Sequence, residues 1–214
     1  MTFSKIVKEN KSFFIPVLIF IGTGIVFLSL NSKDDIHIWI NHHYSPFFDI
    51  FFKYLTHLGD GWIFPLGIII LAFVKWRYAL GLLVCSLLSL FLIGSLKNMV
   101  FKDVPRPIKY FENTDYNLRV VEGVKMNTMK SFPSGHSTAA FAFWGFLALL
   151  GRNKVLKFSF FSIAALAAYS RMYLSQHFLE DIVAGTFLGI LISIFSYYFS
   201  SNWKKEWLDK KINI

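Results

Sequence analysis

The sequence contains one cysteine, Cys85, in 214 residues. That excludes an intrachain disulfide and any thiolate metal cluster, both of which need more than one sulfur. Cys85 lies inside an apolar run and reads as a small buried hydrophobe. Charge is scarce too: only 16% of residues are Asp, Glu, Lys or Arg, against about 25% in soluble domains. There is no Pro- or Gly-rich linker, internal repeat or low-complexity tract to divide the chain, so residues 1–214 read as one domain. No Ala-x-Ala pattern follows the first apolar run, 13–30, which is therefore expected to be a retained helix rather than a cleaved signal. The net charge is +9, yet the chain has no basic helix, zinc knuckle or aromatic platform, and no nucleic-acid partner is expected.

What is present is grease: 55% of residues are hydrophobic and 19% aromatic, a composition suited to an integral membrane protein. The expected architecture is all-α, a bundle of six transmembrane helices near 13–30, 61–75, 78–97, 136–151, 157–174 and 182–200. An even number of crossings puts both termini on one side. The tails and the turns 75–77 and 152–157 carry Lys5, Lys8, Lys11, Lys75, Arg77, Arg152, Lys154, Lys157, Lys204, Lys205, Lys210 and Lys211. By the positive-inside rule that side is the cytoplasm. Segments 31–60, 98–135 and 175–181 then face out.

In segment 31–60, apolar residues interleave with polar ones around a break at Pro46, which predicts one or two interfacial helices. His37, His42 and His43 lie there; without a carboxylate pattern beside them they read as surface histidines, not metal ligands. In the next outer segment β-branched residues flank Glu122-Gly123, which predicts a small hairpin between helices 3 and 4.

Three outward patches carry the unusual polar residues. In "KNMVFKDVPRP", Arg106 is held between Pro105 and Pro107, a stiff strut presenting a guanidinium fork that suits phosphate oxygens. In "SFPSGHST", Ser134 and Gly135 precede an apolar run whose helix N-terminus is an anion site, and His136 is placed to pass a proton. In "SRMYLSQHFLED", His177 and Asp181 are four apart, so that on a helix they share a face. Asp181 can then fix the imidazole tautomer and leave the other nitrogen free to attack. Arg171 lies six residues before His177, and Glu180 reads as a solvated neighbour.

These patches resemble the signature of the type 2 phosphatidic acid phosphatases, membrane lipid phosphatases related to vanadium haloperoxidases: Lys-x6-Arg-Pro, Pro-Ser-Gly-His and Ser-Arg-x5-His-x3-Asp. The second part is complete at Pro133 to His136, and the third at Ser170, Arg171, His177 and Asp181. The first departs, since eight residues separate Lys97 from Arg106. Either Lys97 keeps the role from the helix end, or Lys102 substitutes. The resemblance implies that His177 is the nucleophile, forming a phosphohistidine, with Asp181 orienting it and His136 protonating the leaving oxygen. It implies that Lys97, Arg106, Ser134, Gly135 and Arg171 hold the phosphate, with no metal and no cofactor.

The expected partner is a lipid phosphate in a bacterial inner membrane, met at the outer, periplasmic face. Undecaprenyl pyrophosphate, phosphatidic acid, phosphatidylglycerol phosphate and lipid A phosphates all fit. Lys109, Arg119, Lys125 and Lys130 are expected to attract such headgroups. The alternatives are transfer of phosphate to an acceptor other than water and, from another class, a small transporter whose charges mark an ion path.

Overall fold

The computed structural model describes residues 2–212. Every named element in it is helical. A short α1 (Phe3–Glu9) leads into the apolar α2 (Lys11–Leu30). Two short helices follow, α3 (Lys33–His42) and α4 (Pro46–Leu55), capped by the hydroxyls of Ser32 and Ser45 and separated at the expected break, with Pro46 in the first turn. A tight turn, Thr56–Gly59, precedes α5 (Ile63–Ala72). Then come α6 (Trp76–Ser95), which continues as a wider π-helical turn over Leu96–Val100, and the single-turn α7 (Pro107–Phe111). Three helices complete the bundle: α8 (Gly135–Leu150), α9 (Lys154–Tyr173) and α10 (Leu179–Asn202).

Among the described residues four helices are long and apolar enough to cross a membrane: α2, α6 with its π-helical turn, α9 and α10. α4 with its following turn and α5, bent by 55° at the break between them, make a fifth when counted as one span. Leu18, Leu90, Phe91 and Val155 point their side chains outward, as lipid-facing residues do. The 16-residue α8 is short for a span, but it is the centre of the bundle, with Ala140, Phe141, Ala142, Phe146 and Ala148 fully buried against its neighbours. Along α10, Gly185 and Gly189 allow close crossing: a Cβ at either would lie 2.6 Å from a carbonyl oxygen at the start of α8, that of Ser134 or Thr138 respectively. This contact sets the ends of α8 and α10 side by side.

The basic turns and both tails gather at the opposite end of the bundle. Arg77 donates to the carbonyls of Ser200 (2.7 Å) and Trp203 (2.8 Å) and to both oxygens of Asp209. Lys157 is not a solvated charge of that end. It is buried, and its ammonium bonds Glu9 O and Asn10 Oδ1, tying the α1–α2 junction to α9.

The expected hairpin reduces to its turn. Val124 N donates to Val121 O (3.2 Å), and Gly123 takes φ +74°, but there is no strand among the described residues, and the isolated bridge nearby pairs Pro105 with Met129. One flank is hydrogen-bonded elsewhere: Asn41 Nδ2 donates to Arg119 O (2.8 Å), and Asn41 Oδ1 accepts from Arg119 N (3.1 Å), while Lys53 Nζ donates to Glu122 O (2.8 Å) in the turn itself. Asn41 of α3 thus takes both the acceptor and the donor that Arg119 would offer a ladder. His37 corrects the surface assignment. It is 2% exposed, stacked on Phe111 and edge-on to Phe178, with Nε2 3.3 Å from Ser175 Oγ. Burial lowers its pKa from the ordinary 6.5 to about 4, with Asp181 opposing in part. His42 and His43 are exposed as expected.

Candidate active site

The three patches converge at one end of the bundle. The segment between α9 and α10 brings His177 and Asp181 together, though not as two residues on one helix. His177 precedes α10, and Asp181 occupies its first turn. Asp181 Oδ2 accepts from Phe178 N (3.0 Å), closing the helix start, and from His177 Nδ1 (3.1 Å). A third donor, Ser131 Oγ, lies 2.5 Å from the same oxygen and 3.4 Å from His177 Nδ1. Nδ1 is thereby fixed as the protonated nitrogen, while Nε2 has no hydrogen-bond partner among the described residues.

Cations surround this ring. Burial, reinforced by Arg106, Lys97 and Arg171, holds the His177 imidazole well below its ordinary 6.5, so it is neutral at pH 7. Arg106 donates from Nε to Met129 O (3.0 Å) and from a terminal nitrogen to Gln176 O (3.2 Å) and Gln176 Oε1 (3.3 Å). Arg171 donates to Thr56 Oγ1 (2.7 Å) and to the same Gln176 Oε1 (3.4 Å); its buried Nε has no partner. Gln176 therefore links two guanidiniums.

Lys97 lies in the π-helical turn, where Phe101 N donates to Leu96 O (2.8 Å). The wider turn takes up part of the lengthened first motif and keeps Lys97 near His177. Its ammonium bonds Lys130 O (2.5 Å) and Ser131 O (3.2 Å). Lys102 is exposed and outside this group.

Ser134 caps α8, its hydroxyl accepting from Ser137 N (3.3 Å) and Ser137 Oγ (2.9 Å), and its amide donates to Asp181 O (3.0 Å). The amides of Gly135 and His136, in the first helical turn, have no acceptor among the described residues. His136 is half-buried, and Nε2 lies 2.5 Å from Asp60 Oδ1. Glu180 is half-buried too and pairs with Lys33 (3.1 Å), whose ammonium also lies over the Tyr110 and Phe178 rings.

Two of the loop cations are committed to the protein itself. Lys109 pairs with Glu112, while Arg119 pairs with Asp49 and stacks over Tyr44. Ser131, Gln176, Thr56 and Asp60 were not among the sequence candidates. Ser131 lies two residues before the second motif, and Gln176 is one of the five residues between Arg171 and His177 inside the third.

The family model described as the PAP2 superfamily matches residues 78–205, which include all three patches. The chain belongs to the PAP2 superfamily. Curated relatives include a lipid A 4'-phosphatase of Porphyromonas gingivalis, 27% identical over 184 residues, covering 84% of this chain and 77% of the relative. A PA-phosphatase related-family protein of Dictyostelium discoideum is 35% identical over 127 residues, but that alignment spans 50% of this chain and 47% of the relative. Among solved structures, Aquifex aeolicus LpxE superposes with a TM-score of 0.65 at 28% identity, over 77% of this chain and 93% of its own. The PAP2-type phosphatidylglycerolphosphate phosphatase of Bacillus subtilis gives 0.63 at 25% identity, over 92% and 98%. As a PAP2 protein with these neighbours the chain is a membrane phosphatase, and its fold is similar to theirs.

Proposed function

We propose that this PAP2 enzyme hydrolyses a lipid phosphate at the outer face of the membrane through a phosphohistidine on His177. One observation carries the reading: a neutral imidazole, oriented by Asp181 through Nδ1, has Nε2 free inside a ring of three cations. Nε2 attacks phosphorus, and Asp181 stabilises the imidazolium that forms. Lys97, Arg106 and Arg171, with the amides of Gly135 and His136, hold the equatorial oxygens, where phosphoryl transfer concentrates charge. The Ser134 hydroxyl keeps those amides in place by capping α8. His136 protonates the leaving lipid oxygen and later takes a proton from the attacking water. The three cations meet the electrostatic demand that a metal meets in other phosphatases.

In this reading α2, α5, α6, α8, α9 and α10 are six crossings, with the basic end of the bundle cytoplasmic. An apolar groove of about 860 Å³, lined by Phe20, Phe27, Ile36, Trp39, Phe161 and Met172, runs along α2, α3 and α9. It suits lipid tails, while the headgroup meets the cations above. Lipid A 4'-phosphate is the first substrate to test, because a relative covering most of this chain carries that name. Undecaprenyl pyrophosphate, phosphatidic acid and phosphatidylglycerol phosphate complete the panel.

The test is phosphate release from this panel by detergent-solubilised protein with chelator present. Release, and an acid-labile, base-stable phosphoprotein trapped by rapid quench, are expected, both lost in His177→Asn. Turnover that survives His177→Asn would overturn the assignment.

A further inference from the structure

A chain of titratable groups runs into the site from a segment that none of the three motifs includes. His57 Nδ1 lies 2.6 Å from Asp60 Oδ2, and Asp60 Oδ1 lies 2.5 Å from His136 Nε2. Asp60 follows the turn Thr56–Gly59, and that turn is anchored on both sides. Trp144 Nε1 of α8 donates to Leu58 O (2.9 Å), and Arg171 of α9 donates to Thr56 Oγ1 (2.7 Å). Gly59 is pressed against the start of α8: a Cβ there would lie 3.0 Å from His136 O and 3.4 Å from Ala140 Cβ. The carboxylate is thus held at His136 by packing, with His57 bonding its second oxygen.

His136 needs such a partner. Arg106 and Arg171 act on it, and it lies within electrostatic reach of His177. An imidazolium drawn out of water and set among like charges sheds its proton, whereas a general acid must carry it. The anion set against those cations is Asp60. The Nδ1 nitrogen of His136 has no hydrogen-bond partner among the described residues.

We propose that Asp60 is a positioning residue for the leaving-group step: it accepts Nε2–H of His136 and favours the cationic form of that ring, with its second proton on Nδ1. This rests on the phosphohistidine reading above. As Nε2 of His177 bonds phosphorus, the P–O bond to the lipid breaks, and the Nδ1 proton of His136 passes to the departing oxygen. His136 is left neutral, its remaining proton on Nε2 against Asp60. When water attacks the phosphohistidine, Nδ1 takes up the proton released and the acid form is restored.

A general acid matters most when the leaving group is poor. The experiment measures Asp60→Asn on two substrates in one preparation: an alkyl lipid phosphate, and p-nitrophenyl phosphate, whose phenolate departs without a proton. General acid catalysis contributes about 10²-fold or more, so the lipid rate should fall about 100-fold while the aryl rate falls less than about threefold. His136→Ala should show the same selectivity, and adding Asp60→Asn to it should cost little more. Asp60→Glu should recover part of the lipid rate; it also serves for the ratio if Asp60→Asn does not fold. The ratio of the two rates does not depend on the folded fraction. An unchanged ratio, or a lipid rate within twofold of wild type, overturns the role of Asp60. His177→Asn separates the two ideas: if it retains turnover, the nucleophile assignment fails whatever Asp60 does.

Discussion

Replacing Asp181 by Asn tests the core of the mechanism. The carboxylate lies 3.1 Å from His177 Nδ1 and is fully buried. When Nε2 bonds phosphorus, the ring gains a positive charge. At that separation, with an effective dielectric constant of about 20, the attraction is about 5 kcal/mol. Losing it in the transition state corresponds to a fall of roughly 10³ to 10⁴ in kcat. KM should change little, because the carboxylate does not touch the phosphate in the ground state. Asn can still accept from Phe178 N, so the start of α10 should survive. The assay is phosphate release under saturating lipid, with thermal unfolding in the same detergent as the control for folding. A variant that folds normally and retains kcat within tenfold of wild type would refute the reasoning, since a charge so close could not then matter to the step.

Three further outcomes are expected. Lys97→Ala should lower kcat/KM by about 10- to 100-fold, the value of one charge-assisted contact of about 1.5–3 kcal/mol, while Lys102→Ala should leave it unchanged; the reverse result would reassign the first-motif lysine. Gly185→Val should destabilise the protein by about 1–3 kcal/mol and abolish activity, because its side chain would enter the space of Ser134 O and push α10 off α8; thermal unfolding and phosphate release check both. Acid should destabilise the fold through His37: its folded pKa, about 4, lies below the unfolded 6.5, so the unfolded chain binds the extra proton. Stability is then highest above 6.5 and falls as pH drops from there to about 4, by about 1.4 kcal/mol per pH unit and about 3 kcal/mol in all. Melting temperatures at pH 7.5 and 5 should show this, with a shallower slope in His37→Gln.

The bundle was legible because apolar runs announce buried or lipid-facing helices, and Pro46 marked the break between α3 and α4. The short α8 was legible as well, from the helix-start pattern at Ser134 and the apolar run behind it. The hairpin was misjudged because turn chemistry at Glu122-Gly123 is local, whereas ladder pairing depends on whether other groups reach the flanks first; Asn41 does, at Arg119. His37 was misjudged for a similar reason, since the rings that bury it, Phe111 and Phe178, come from distant segments. In the candidate site, fixed spacing singled out His136, His177, Asp181, Arg106 and Arg171. Ser131 and Asp60 have no such spacing. Each is one common polar residue whose importance arises only when two helices close on it.

Gln176 gives its one side-chain oxygen to both arginines. A glutamate there could accept from both guanidiniums as well, but it would cancel one of the three positive charges that draw a phosphate in and lose the bond that Gln176 Nε2 donates to Lys125 O. A neutral amide spaces the two guanidiniums without discharging them. An incoming anion therefore competes only with neutral acceptors for the donors of these two guanidiniums.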